Sequence, residues 1–141
     1  GAHGVTRTGG FLATVEAPIR QELKEHLARP EVDERSTTIV LCALSNATRV
    51  FKNDVSVKTN ELEKEMAGAV DFSKLAPLAT GDRTRKMWKE TGDWNDSMWS
   101  CSQSVGLIED IPTCKDLVHR MVREAEERLE AAAGRIVRSK L

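Results

Sequence analysis

The sequence predicts an α/β protein, and three observations carry that expectation. Ser36 to Leu44 (STTIVLCAL) is rich in β-branched residues and continuous in its apolar part, which reads as a buried strand. Residues 113–130 carry apolar side chains at helical spacing, which reads as a long amphipathic helix. The N-terminal segment reads as a short strand, a glycine turn and then a helix. At 141 residues and 15.6 kDa the chain has the length of one ordinary domain with a sizeable core.

Gly1 to Phe11 holds four of the nine glycines, with Thr6 and Thr8 around Arg7, and predicts a strand running into a tight turn at Gly9-Gly10. A helix follows. Pro18 suits its first turn, Ile19, Leu23 and Leu27 share one face, and Pro30 ends it. After the strand at 36–44, Ser45-Asn46 predicts a turn and Thr48 to Lys52 a second strand. Asn53 or Asp54 caps a helix reaching Met66, with Val55, Leu62 and Met66 toward the core. Gly68 interrupts, and Asp71 starts a helical stretch limited by Pro77 and Gly81. Asp82 to Glu90 is expected to be helical, with Gly92 as its stop. Asp93 to Ser104 predicts a loop leading into a short helix through Leu107 and Ile108. In the last helix, Thr113 and Asp116 form a capping-box-like start. Leu117, Val118, Met121, Val122, Ala125 and Leu129 then trace an apolar face.

Charge narrows the function classes. Lys and Arg number 21 against 22 Asp and Glu, a net charge of -1, and the pI is near 6.4. Neither a nucleic-acid binder nor an anionic-membrane binder is expected from that balance, because both need a concentrated basic surface. Hydrophobic residues at 40% and charged residues at 30% are ordinary for a water-exposed domain. Cys42, Cys101 and Cys114 lie too far apart for a metal knuckle, and their odd number fits no disulfide framework, so a reducing, cytoplasmic setting is expected. No apolar stretch approaches the roughly 18 residues of a membrane span. No basic segment leads into an apolar one as in a secretory signal. The opening Gly-Ala-His-Gly, without Met, is expected to be either a processed start or the cut end of a longer chain.

Several groups are chemical candidates. Thr8-Gly9-Gly10 is a candidate phosphate cradle, although a Gly-Gly pair is more commonly a simple turn, and it matches neither a Walker loop nor the dinucleotide GxGxxG pattern. His26 and His119 lie on amphipathic helices, where surface or packing roles are the ordinary ones; the role of His3 is open, and no metal-ligand spacing occurs. Cys42 and Cys114 are expected to pack in the core, leaving Cys101 as the thiol to test for reactivity. Trp88, Trp94 and Trp99 cluster in a chain without Tyr. Ser100, Ser102, Gln103 and Ser104 beside Trp99 form the densest group of uncharged hydrogen-bonding side chains, suited to a polar heteroaromatic or to a capped loop.

The motifs add a resemblance. Gly1-Ala2-His3-Gly4-Val5 and Phe11 through Ile19 (FLATVEAPI) resemble the strand-eight region of nitronate monooxygenases, the 2-nitropropane dioxygenase family. The likeness continues through Asp33 to Thr38, Arg49-Val50-Phe51-Lys52-Asn53 and Glu90 to Asp93. It is most specific at Trp99-Ser100, Gln103, Val105-Gly106-Leu107-Ile108 and Asp110-Ile111-Pro112-Thr113-Cys114. These motifs keep the family's order over nearly the whole chain.

What the resemblance implies is the C-terminal fragment of an FMN-binding (β/α)8 TIM barrel with an inserted small α+β substrate domain. Residues 1–29 would be the last barrel strand, phosphate turn and helix, 30–96 the inserted region, and 97–141 the return to the barrel with its closing helix. The implied activity is oxidation of alkyl nitronates with O2, using FMN. Position by position, Thr8, Gly9 and Gly10 fall on the flavin-phosphate turn, and Ser102 and Gln103 fall in the family's Ala-Gly-Gln segment near the flavin. The family's Gly-Thr-x-Phe is here Thr8-Gly9-Gly10-Phe11, which loses a hydroxyl, and its Gly is here Ser102, which adds bulk. Both departures bear on FMN affinity. The family's catalytic histidine lies upstream of this chain, and no residue here is expected to be catalytic or to bind metal. A barrel needs roughly 200 residues or more, so the chain alone is expected to be inactive. The alternative expectation is a truncated or diverged, non-enzymatic helical module that binds a partner or itself through exposed barrel faces.

Overall fold

The computed structural model describes residues 3–4, 7–66 and 71–135. Its elements are α1 (Gly9–Leu12), α2 (Gln21–Leu27), β1 (Thr37–Val40), β2 (Thr48–Phe51), α3 (Asp54–Glu65), α4 (Phe72–Ala79), α5 (Gly81–Lys86) and α6 (Cys114–Gly134), with short 3-10 turns between them. The mixed α/β class agrees with the sequence reading.

β1 and β2 form an antiparallel hairpin with Thr37 opposite Phe51 and Val40 opposite Thr48. Side chains alternate across a strand, so the hairpin has two working faces. Phe51 enters a core with Ala13, Leu23, Leu27, Val32, Met87, Trp99, Val105 and Ile108. Val40 and Val50 face the other way, into a core with Leu41 and Leu75 that Leu44, Leu62, Met66 and Met98 border. The strand expected over 36–44 ends at Val40 because Leu41 takes a left-handed conformation, φ 61, and starts a 3-10 turn. Glu63 holds that turn: its carboxylate accepts from the backbone N–H of Leu41 at 2.7 Å and of Ala43 at 2.8 Å.

α3 starts where the sequence places it. Asn53 Oδ1 accepts from Ser56 N at 3.0 Å, and Ser56 Oγ accepts from Asn53 N at 2.9 Å, a reciprocal cap. The Asn53 amide also donates to the carbonyls of Trp94 at 2.9 Å and Ser97 at 2.7 Å, tying the tryptophan loop to the helix start. Pro77 does not limit the next helix: α4 runs through it to Ala79 while Leu75 is wholly buried, and Gly81 opens α5 instead of ending α4. α5 continues into a π turn over Met87–Thr91, closed by Gly92 N donating to Met87 O at 2.9 Å. Gly92 then turns the chain at φ 67, where a glycine is required.

Other expectations are corrected. The strand expected before Gly9 falls partly on residues outside those described, the described residues there form no strand, and Gly9-Gly10 open a helical turn rather than a tight reversal. α2 begins at Gln21 and not near Pro18, because Arg20 is extended and its N–H donates to Trp88 O at 2.8 Å. Gly68 lies outside the described residues. Cys42 is exposed at the hairpin turn, not in the core. Most plainly, much of the expected apolar face of α6 is uncovered. Leu117 is buried, but Val118, Val122 and Leu129 are 43%, 51% and 71% exposed.

The N-terminal end of α6 is nevertheless firmly held. Thr113 Oγ1 accepts from Asp116 N, the Glu16 carboxylate accepts from Cys114 N at 2.9 Å, and Arg120 forks onto Asp110 with two bonds of 2.9 Å. Those Arg120 bonds hold the Asp110 carboxyl below its usual range.

Candidate functional site

Three stretches of chain converge beside the hairpin. The backbone of 99–101 runs along β2: Phe51 N donates to Trp99 O at 3.1 Å, Cys101 N donates to Arg49 O at 3.2 Å, and Val50 bridges Ser100. Trp99 is thereby pressed face to face on Phe51, centroids 4.9 Å apart, and its indole N–H donates to Trp94 O at 3.2 Å. Beyond it, Ser102 Oγ accepts from Ser104 N at 3.2 Å and starts the 3-10 turn Gln103–Leu107. Gly106 permits that turn to lie on the 33–34 backbone, since a Cβ there would come within 3.0 Å of Asp33 Cα.

The result is a cavity of about 500 Å3, a size ordinary for small-molecule sites. Thr8, Gly9, Ser100, Ser102 and Gln103 are among the residues that line it. Trp99, Leu12, Leu27, Val105 and Ile108 supply an apolar wall, and Arg49 and Cys101 complete it. Four of the five residues assigned to the cofactor in the sequence reading therefore share one cavity. Gly10 does not. It is buried beneath the Arg7 guanidinium and lines a separate cavity of about 370 Å3 against Leu117 and Arg120 of α6. The Gln103 amide makes no hydrogen bond to protein among the described residues, leaving both its donors and its acceptor free for a ligand.

Burial pushes the Cys101 thiol up to about 12, so it stays protonated at neutral pH, contrary to the reactivity considered from sequence. His26 packs as an aromatic ring: it is 8% exposed, stacks on Trp94 at 4.2 Å and meets Phe51 edge-on at 5.3 Å. Among the described residues neither ring nitrogen has a hydrogen-bond partner, and burial lowers the His26 pKa. Among the described residues no group of His, Cys, Asp and Glu is arranged to hold a metal ion, and no helix is long and apolar enough to cross a membrane.

Arg49 is the lining residue that sequence reasoning passed over as a site. It stood inside a motif, and the available signal was its spacing of two from Phe51, which sends both side chains to the same hairpin face.

No protein-family model matches the chain. Among solved structures, the chain is similar to FabK from Thermotoga maritima, with 25% sequence identity and a TM-score of 0.76 over 89% of this chain and 38% of FabK. A mutant of the same FabK matches at 21% identity and a TM-score of 0.65, over 89% of this chain and 34% of that one. The chain thus spans less than two fifths of the proteins it matches. It is a small mixed α/β unit that corresponds to part of FabK.

Proposed function

We propose that the chain forms part of an FMN-dependent oxidoreductase and, more finely, of one that oxidises alkyl nitronates with O2. The observation that carries this reading is the convergence of Thr8, Gly9, Ser102 and Gln103 on one cavity, since the motif likeness assigns those residues to the flavin. The lining suits a flavin, combining hydroxyls and a free amide with apolar side chains and an indole. Thr8 and Gly9 would meet the phosphate, and Ser102 and Gln103 the ring edge, with Gly10 left outside the cavity. FMN supplies the electron transfer when bound; the protein side chains bind, orient and keep water out. In this reading residues 30–96 are the inserted substrate region, which the separate aliphatic core of β1, β2, α3 and α4 favours. Residues 1–29 and 97–141 then belong to the barrel, with the catalytic histidine outside this chain. Three free cysteines favour a cytoplasmic setting.

Flavin fluorescence during titration with the chain tests the assignment. FMN should bind saturably but weakly, more tightly than riboflavin, and Ser102→Gly should tighten it several-fold by removing bulk. Equal binding of FMN and riboflavin, or no response to Ser102→Gly, would sink the assignment of these residues. Nitronate-dependent oxygen uptake by the FMN-loaded parent protein tests the finer reading.

A second reading, a self-associating helical module, is favoured by the exposed apolar stripe of α6 together with Leu107, which is 71% exposed. Sedimentation velocity over a concentration series separates the two. A monomer throughout removes this reading.

A further inference from the structure

We propose that the Arg49 guanidinium is the specificity-determining group of this cavity, so that a small planar ligand is taken in its anionic form ahead of its neutral counterpart. The inference deepens the flavin reading of the same cavity and rests on it only for the occupant's role as a substrate.

The geometry is specific. Arg49 lies on β2 with its carbonyl held by Cys101 N, and its Nη1 donates to Thr37 Oγ1 at 3.0 Å across the hairpin. Both ends of the residue are therefore fixed. A guanidinium has five N–H donors, and one is occupied by Thr37; the remainder include pairs spaced to fork onto two oxygens of a planar anion.

The charge balance points the same way. Among the described residues no carboxylate lines the cavity and none lies within ion-pair distance of Arg49. Cys101, the other ionisable lining group, is a neutral thiol at neutral pH. The cavity thus presents one full positive charge, half-buried beside Trp99 and other apolar side chains. Charge interactions strengthen as water is excluded, so an entering anion gains what its conjugate acid or amide cannot. A neutral ligand of the same shape leaves the guanidinium unpaired and partly desolvated.

The test compares matched pairs of ligands on the full chain, followed by the Trp99 indole resonance in NMR: propionate against propionamide, and ethylnitronate against nitroethane. The anion should bind about tenfold or more tightly than its neutral partner, the range of a charge-assisted hydrogen bond. Arg49→Met should bring the ratio near one, while Arg49→Lys should retain part of it. Arg49→Gln, which keeps a polar side chain without the charge, guards against a merely structural loss and should also abolish the ratio. Equal binding by the wild-type chain, or an unchanged ratio in a folded Arg49→Gln chain, overturns the proposal. FMN and riboflavin titrations of the same variants form the remaining arm. If Arg49→Gln selectively erases the advantage of FMN over riboflavin, Arg49 holds the flavin phosphate and the substrate proposal fails. An anion preference that persists where FMN does not bind supports Arg49 selectivity and removes the flavin reading instead.

Discussion

The two faces of one hairpin lead into cores of different chemistry. On the Phe51 side, rings dominate: Phe51 stacks on Trp99, and His26 stacks on Trp94. On the Val40 and Val50 side, the contacts are aliphatic, with Leu75 wholly buried among Leu44, Leu62, Met66 and Met98. The candidate cavity opens only on the aromatic side, which holds Trp99, Leu27, Val105 and Ile108 in common with it. Flat, rigid rings bury large area while fixing the backbone of 99–101 against β2, and that backbone places Arg49, Ser100 and Ser102. The aliphatic core carries no such edge. Its task is to hold the hairpin.

The sharpest way to break this contrast is to delete one large side chain from each core. Trp99→Ala should cost about 3–5 kcal/mol and Leu75→Ala about 2–5 kcal/mol in urea denaturation. They should part company on ligand binding. Variants still folded at low temperature should lose FMN with Trp99→Ala and retain it with Leu75→Ala; loss in both would mean that the cavity is not confined to the aromatic side. Asn53 joins the regions, because it caps α3 and also holds the Trp94 and Ser97 carbonyls. Asn53→Ala should therefore cost about 2–4 kcal/mol, more than the ~1 kcal/mol of an ordinary cap, by stranding buried carbonyls. Glu63→Gln, which weakens the hold on the Leu41 and Ala43 amides, should cost about 1–2 kcal/mol with no change in cavity binding.

The smallest effect distinguishes the cores by pH. His26 is neutral in the folded protein because burial lowers its pKa below the ordinary 6.5. The unfolded chain takes up a proton near that value and the folded one does not, so unfolding is favoured as pH falls below it. Stability should be flat above about pH 6.5 and decline beneath it, by at most ~1.4 kcal/mol per pH unit, until the folded pKa is reached. His26→Phe should remove this part of the slope. An unchanged slope would assign it to other groups.

Much of the fold was legible because it is written in local chemistry. Both hairpin strands, the Asn53 cap, the Thr113 cap and the Gly92 stop each depend on residues within a few positions of one another. What failed depends on distant partners. Periodicity defines an apolar stripe on α6, but whether anything covers Val122 or Leu129 is decided elsewhere in space. Lys24 falls on a helix whose sequence reads as half-polar, yet it is buried, its ammonium donating to Val15 O at 2.9 Å, while His26 takes the packing role that was one of the two expected of it. Cys42 sits in an apolar run whose end is set by the left-handed Leu41, a tertiary feature fixed by Glu63 twenty-two positions away. The residues assigned to a cofactor came from motif likeness, whereas Arg49 needed the hairpin register to bring it to the cavity.

Because β2 is the shared partition, its amide hydrogens report on both compartments at once. Phe51 N is bonded to Trp99 O, and Val50 is wholly enclosed between the hairpin and the aliphatic side chains. Solvent reaches those amides only when both compartments open together, so deuterium uptake at Val50 and Phe51 should track global unfolding. The rim residues Ser102 and Gln103, exposed on a 3-10 turn, exchange by local fraying instead. The cavity therefore couples a slow floor to a fast lip, and a bound ligand would be read first in the protection of the lip.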